Sequence, residues 1–289
     1  MKVNLYHLGM SSDTHDFPKL FGDVKKNAFS TFKFVCCGGS SKRMEKLANY
    51  FTENLPVNYP YGFKPENLCH SDRYVMYKVG PVLCVNHGMG HGSISTMLHE
   101  VLKLLRMANC KDTTFFRIGT SGGLGLPGGT VVISESVVDD LLEESFEMHI
   151  LGKRVRKPTH LDSSLNKELL KIATELNYNA VIGKTLCSND FYEGQARLDG
   201  AFCDYSKEEK LQFLQKAHIK GVKNIEMESS CFSAFCTRAN VRAAVICVTL
   251  LNRLEQDQID VVDELEEWEQ RPVNVVTQYI AHHFNDAYN

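Results

Sequence analysis

Several short stretches of this chain carry side chains whose types and spacing could do chemistry. Gly38-Gly39-Ser40-Ser41-Lys42-Arg43 and Arg117-Ile118-Gly119-Thr120-Ser121-Gly122-Gly123 each set glycines beside an arginine. Glycine lets backbone N–H groups come close to an oxyanion, and a guanidinium matches its oxygens two at a time. Charge-assisted hydrogen bonds contribute about 1.5–3 kcal/mol each, so a few of them could hold free phosphate. The plainer reading is that tight turns need glycine and that both arginines face water. Thr114-Phe115-Phe116-Arg117-Ile118 strains that reading for Arg117, because an apolar run predicts burial and a buried charge needs an anion beside it.

A second kind of signal lies in Asp190-Phe191-Tyr192-Glu193-Gly194-Gln195-Ala196-Arg197. A glutamine amide offers a donor and an acceptor side by side, the complement of an imide edge such as N3–H and a carbonyl of uracil. Arg197 would add donors to a carbonyl oxygen. Loop glutamines and arginines are more often solvated; with Gln195 in a loop away from the core, Gln195→Leu is expected to cut base recognition far more than stability, which it should change by under ~0.5 kcal/mol. Further on, Glu226-Met227-Glu228-Ser229-Ser230 leads into a helix. Glu228 could accept from sugar hydroxyls, although acidic residues are ordinary in a first helical turn. Met227 could floor a sugar, or simply pack in the core.

Other motifs are weaker. Gly183-Lys184-Thr185 ends like a nucleotide-binding loop, but Tyr178 stands where its first glycine belongs. Gly119-Thr120-Ser121-Gly122-Gly123 spells a nucleophile elbow, which must pass from strand to helix; here the chain runs on into another strand. His87 and His91 are spaced like a metal pair, yet the glycines around them favour a turn.

These residues must be held by something. Apolar β-branched runs at Phe32–Cys37, Tyr74–Val79, Val82–Asn86, Thr114–Ile118, Thr130–Ser134, Ala180–Thr185 and Ala243–Leu250 predict strands. Helices are predicted at Lys42–Glu53, Ser93–Met107, Ser163–Leu176, Lys207–Ala217 and Glu228–Ala239, with a last one following Pro272. In Ser93–Met107, Ile94, Met97, Leu98, Val101, Leu102 and Leu105 mark one buried stripe. The alternation predicts one α/β domain over residues 1–289, with a central mixed β-sheet flanked by helices. Ligands bind such sheets where loops leave the carboxyl ends of strands, which is where most of these stretches fall.

Composition narrows the function. The 289 residues carry a net charge of -3, with no cationic excess to displace counterions from nucleic acid. The longest apolar run, Ala243–Leu251, is about half a membrane span. The ten cysteines lie mostly in apolar runs and form no Cys-x-x-Cys pair, as in a reduced cytoplasmic protein. The acidic stretch Asp260–Glu269 reads as a solvated lid or surface segment.

Taken in order, the stretches resemble one family: the nucleoside phosphorylase and nucleosidase superfamily, and within it the eukaryotic uridine phosphorylases. The matching residues run from Thr14-His15-Asp16-Phe17-Pro18 and Phe21-Gly22-Asp23-Val24-Lys25 through Asp72-Arg73-Tyr74 and His87-Gly88-Met89-Gly90. They continue with the arginine–glycine run at Arg117, Asp190-Phe191-Tyr192-Glu193-Gly194-Gln195, Ile225–Ser230 and Thr249-Leu250-Leu251-Asn252-Arg253-Leu254. Purine-specific relatives carry an aspartate near the last strand; none stands at Thr249–Arg253.

The resemblance implies reversible phosphorolysis of uridine, and by extension deoxyuridine, to uracil and ribose 1-phosphate. Phosphate is then a co-substrate, and no cofactor or metal is needed. It implies a phosphate site of Gly39, Arg43, Arg117 and Thr120, with Arg73 given across a homodimer interface to which residues 1–30 contribute. Ribose would meet Met227, Glu228 and the partner's copy of His15. Uracil would rest on Phe191, meet Gln195 and Arg197, and be enclosed by Leu250, Leu251, Arg253 and Ile259. Arg117, Gln195, Arg197 and Glu228 are the implied catalytic set. Two other readings stay open: a nucleosidase that uses water, and a silent nucleoside-binding paralogue. The Gly128-Gly129 pair, standing where relatives carry Pro-Gly, predicts a looser backbone there.

Overall fold

The computed structural model describes residues 4–11, 32–260 and 263–284. The chain forms two compact units, Met1–Phe116 with Thr277–Asn289, and Arg117–Val276. In the first, a short antiparallel pair, β1 (Asn4–Leu5) and β2 (Met10–Ser11), precedes β3 (Phe34–Gly38) and helix α1 (Ser41–Asn54). Then come β4 (Met76–Val79), β5 (Val82–Asn86) and helix α2 (Gly90–Met107). β5 lies parallel to β3 and antiparallel to β4. Helix α2 buries Ile94, Met97, Leu98, Val101 and Leu105 as its periodicity predicts, with Leu104 in place of Leu102. It starts at Gly90 rather than Ser93, so His91 sits in a helical turn. Its Glu100 is buried and accepts the N–H groups of His7 and Leu8 at 3.1 and 2.9 Å, which ties down the chain before β2.

Strand β6 (Thr114–Gly123) begins in the first unit beside β3 and continues into the second. There it joins β7 (Val131–Val138), β10 (Ala180–Cys187), β11 (Val222–Glu226) and β12 (Arg242–Asn252). The order is β11-β10-β7-β12-β6, and β11 also pairs with β6, so five strands close into a ring. β10 is parallel to β7 and β11, while β12–β7 and β11–β6 are antiparallel. Helices α3 (Ser163–Glu175), α4 (Lys207–Ile219) and α5 (Ser229–Ala239) pack on these strands. The fold is α/β, with a mixed sheet flanked by helices, as the alternation of patterns predicts.

The β1–β2 pair has no counterpart in the sequence reading, and three further features depart from it. β6 does not end at Ile118 but runs through the glycines to Gly123. A hairpin of β8 (Ser145–Ile150) and β9 (Lys153–Pro158) was not foreseen. It turns at Leu151-Gly152, both with positive φ; Phe146, Met148 and Ile150 alternate with polar residues along β8, but β9 carries only Val155 among charged residues and buries none of its side chains. The last helix, α6 (Leu265–His282), starts seven residues before Pro272 and holds that proline inside it. A proline there costs a backbone hydrogen bond. Tertiary contacts offset this: Trp268 lies on the Gly128-Gly129 turn and Arg271 bonds Gly129 O, while within the helix Arg271 pairs with Glu267 at 2.7 Å.

That contact also corrects the expectation of a loose Gly128-Gly129 backbone and of a wholly solvated acidic stretch. A Cβ on Gly128 would stand 2.4 Å from the Trp268 ring. Gly128→Ala is expected to destabilise the protein by about 1–3 kcal/mol through overpacking. Trp268 is the single tryptophan, so its emission should move to the red in the same variant, and thermal unfolding with fluorescence checks both.

Candidate functional site

Arg117 stands in β6 and is 3% exposed. Glycine at position 119, two residues on along the same strand face, is what gives its side chain room: a Cβ there would lie 2.8 Å from Arg117 Nη1. Nη2 pairs with Glu226 Oε2 at 2.7 Å and with Glu228 Oε2, and Nη1 donates to Cys247 Sγ at 3.1 Å. Arg117 Nε is buried with no hydrogen-bond partner among the described residues. The anion that burial demanded is thus supplied by two carboxylates. Burial works against the guanidinium's charge, but Glu226, Cys247 and Glu228 outweigh it and keep the group protonated well above the usual arginine range. Burial pushes the Cys247 thiol up to about 11, so the sulfur beside Arg117 keeps its proton.

The strand-to-helix junction holds those carboxylates. Glu226 ends β11, and its side chain accepts the N–H groups of Glu228 and Ser229 at 2.9 and 3.1 Å. It therefore caps α5, while Glu228, at the N-cap position, makes no side-chain cap and sends its carboxylate to Arg117. The first-turn reading of Glu228 does not describe it.

A second cluster surrounds Gln195. The segment after β10 tightens into a single 3-10 turn, Glu193–Gln195, and Ala196 takes a left-handed φ of 53°. Gln195 and Arg197 are buried, not solvated as loop residues usually are. Arg253, 1% exposed, donates from Nη1 to Gln195 Oε1 at 3.3 Å and from Nη2 to Gln195 O at 2.7 Å. It crosses β6 at Gly122, where a Cβ would meet its Cγ at 2.6 Å. Arg197 forks onto Asp199, with Nε and Nη2 at 2.8 and 2.7 Å, and its guanidinium lies 4.5 Å from the centre of the Phe191 ring. Asp257 accepts from Arg253 Nε at 3.0 Å and from Lys210 Nζ at 2.6 Å.

These ion pairs set an acid limit. The hydrogen bond from Arg197 pulls the Asp199 carboxyl below its usual range. Burial would raise Asp257, but Lys210, Arg253 and the Leu198 N–H outweigh it and hold it low. A carboxyl with a depressed folded value adds stability above the unfolded value of about 3.9, and loses it as pH falls through the folded one. The melting temperature is therefore expected to fall between about pH 5 and pH 3, and less steeply in Asp257→Asn. Calorimetry over that range decides it.

The remaining sequence-derived residues are placed as follows. Thr120 is half-buried in β6, beside Arg117 in sequence but on the other face. Met227 is half-buried, Leu250 half-buried and Leu251 buried at the end of β12. Phe191 and Ile259 are each more than a third exposed. In the first unit, Gly39 follows β3, Arg43 is half-buried in the first turn of α1 with its N–H on the Ser40 hydroxyl at 3.2 Å, and Arg73 is exposed before β4. His15 and most of residues 1–30 lie outside the described residues. Ser121 is no nucleophile: its hydroxyl donates to Val248 O at 3.3 Å and accepts from Asn224 at 2.9 Å inside the sheet. Gly183 and Lys184 lie within β10, which rules out a phosphate loop there.

Sequence reasoning assigned no role to Glu226, Cys247, Asp199, Lys210 or Asp257. A Glu-x-Glu at a strand end was the available signal for Glu226. The Arg-x-Asp at Arg197 and the i, i+4 Arg253–Asp257 spacing were signals for the aspartates.

The sequence matches the family described as the phosphorylase superfamily over residues 33–281. The chain belongs to that superfamily. Within it, the chain is similar to uridine phosphorylases: it is 49% identical to uridine phosphorylase 1 of Mus musculus, over 96% of this chain and 87% of the relative. An inactive uridine phosphorylase B of Schistosoma mansoni is 41% identical, over 95% of this chain and 90% of the relative. The crystal structure of uridine phosphorylase from Schistosoma mansoni in complex with thymidine superposes with a TM-score of 0.89 at 42% identity, covering 98% of this chain and 95% of that one.

Proposed function

We propose that this protein is a uridine phosphorylase, which splits uridine with inorganic phosphate into uracil and ribose 1-phosphate and runs the reverse reaction. The observation that carries the reading is the buried Gln195 amide, gripped by Arg253 and followed by an Arg197 stacked on Phe191. Amide, guanidiniums and aromatic face make a reader for a flat imide. Leu250, Leu251 and Ile259 would wall it.

Chemistry follows from charge. The C1′–N1 bond breaks, its electron pair leaves with uracil, and a phosphate oxygen closes on the cationic C1′. Arg197 and Arg253 sit where negative charge grows on the base, and preorganised donors of this kind stabilise a transition state more than a ground state. Glu228, with Met227 beside it, takes the sugar hydroxyls. Phosphate falls to Gly39, Arg43, Arg73, Arg117 and Thr120 on the strength of the resemblance, and no cofactor enters the reaction. The same resemblance makes the working unit a homodimer, with His15 and Arg73 donated by the partner copy; Arg73 is exposed in the chain. Among the described residues no helix is long and apolar enough to cross a membrane, and a cytoplasmic location fits ten cysteines of which several lie in apolar runs.

The test follows uracil release from uridine with and without phosphate. Phosphate-dependent release is expected; release that ignores phosphate would make this a nucleosidase, and uridine binding without release a silent paralogue. The Schistosoma relative named an inactive uridine phosphorylase gives a chain without the activity a precedent in the family. Cytidine is expected to be cleaved about 10⁴-fold less efficiently than uridine, because it lacks the imide N–H that Gln195 reads.

A further inference from the structure

The base-reading end of the molecule holds a carboxylate that touches no substrate in this account. Asp257 follows β12, and its side chain is almost enclosed. Oδ1 accepts from Arg253 Nε at 3.0 Å. Oδ2 accepts from Lys210 Nζ at 2.6 Å and from the Leu198 N–H at 3.2 Å. Its main-chain carbonyl accepts from Arg197 Nη2 at 2.8 Å. One residue thus touches both guanidiniums around Gln195, binds the base loop through Leu198, and is anchored to α4 through Lys210.

Arg253 in turn fixes which way round the Gln195 amide lies. A guanidinium can only donate, so it turns the amide oxygen toward itself and leaves Nε2 on the far side. The order matters because the two common pyrimidines differ in it. Uracil presents an N3–H donor beside a carbonyl, whereas cytosine presents a bare N3 beside an amino group. A pinned amide meets one order; an amide free to flip meets either. Arg197 and Arg253 also repel each other; the Asp257 carboxylate pairs with Arg253, while Arg197 meets the Asp257 main-chain carbonyl and pairs its charge with Asp199.

We propose that Asp257 is the positioning residue for pyrimidine selectivity: through Arg253 it locks the Gln195 amide in the order that fits uracil. The proposal rests on the base-recognition reading above. It is tested by kcat/KM for uridine and cytidine, with KM for phosphate, in Asp257→Asn and Asp257→Ala whose folding is checked by thermal unfolding. Expected are a uridine-to-cytidine ratio narrowed about tenfold or more and a KM for phosphate unchanged within about twofold, with Asp257→Glu recovering part of the ratio. A purely structural role would lower both substrates together. Folded variants that keep the wild-type ratio overturn the proposal. Should Asp257→Ala not fold because it strands a buried ammonium, Asp257→Leu with Lys210→Met removes both charges and bears the same measurement. Wild-type protein that does not cleave uridine with phosphate would defeat the functional reading instead, so the two failures are told apart.

Discussion

Replacing Gln195 with leucine is expected to lower kcat/KM for uridine by about 10²–10³-fold, the usual effect of deleting one preorganised polar partner of a developing charge. The loss should lie in the base-dependent step, so KM for phosphate should hardly move. The burial of Gln195 changes the stability side of this expectation. A solvated loop glutamine could be exchanged for leucine at almost no cost. Here the amide oxygen receives Arg253 Nη1 in an enclosed setting, and leaving that donor unpaired costs about 1–3 kcal/mol. The backbone carbonyl of residue 195 still holds Nη2, which should keep the variant folded. Steady-state kinetics beside a thermal melt separate the two effects; an active, unselective Gln195→Leu would remove the amide from the mechanism.

Arg117→Met is expected to be the most damaging single change to the chain. It strips the counter-ion from Glu226 and Glu228, two buried carboxylates that share one guanidinium nitrogen. Breaking a buried ion pair from one side costs about 3–5 kcal/mol, which for a chain of this size corresponds to a fall of about 10 °C in melting temperature. Activity should vanish for a second reason, since phosphate loses its proposed guanidinium. Adding Glu226→Gln should return part of the melting temperature and none of the turnover. If the double variant recovered turnover with stability, Arg117 would be scaffold alone.

The fold was legible wherever a buried face imposes a period. Helices such as α2 announce themselves because water is excluded from one side of them, and strands such as β5, buried on both faces, as unbroken apolar runs. In the hairpin β8–β9 the signal is short: Phe146, Met148 and Ile150 alternate along β8, but β9 has a single Val155 between charged residues and no buried face of its own. The glycine run after Ile118 misled for a different reason. Glycine usually ends a strand, but here β6 continues because Arg117 and Arg253 lie against it at Gly119 and Gly122, where a Cβ would collide with them. The same residues that looked like a phosphate loop are the space in which two arginines are packed. Pro272 misled in the opposite direction, since a tertiary contact through Trp268 overrode a local preference.

Residues that could touch a substrate were readable from their types: a glutamine and arginine beside an aromatic, a glutamate after a strand. Their supports were not. Cys247 looks like any apolar strand residue, and Lys210 and Asp257 look like solvent-facing charges, because an ion pair between distant segments leaves no mark in either.

A crystal structure of the protein with uracil and phosphate bound bears most directly on the reading. The Gln195 amide should lie within hydrogen-bonding distance of the N3–H and a neighbouring carbonyl, with Arg197 or Arg253 on a base oxygen and Phe191 against the ring. Uracil seated elsewhere, with Gln195 still closed onto Arg253 and turned from the base, would contradict it.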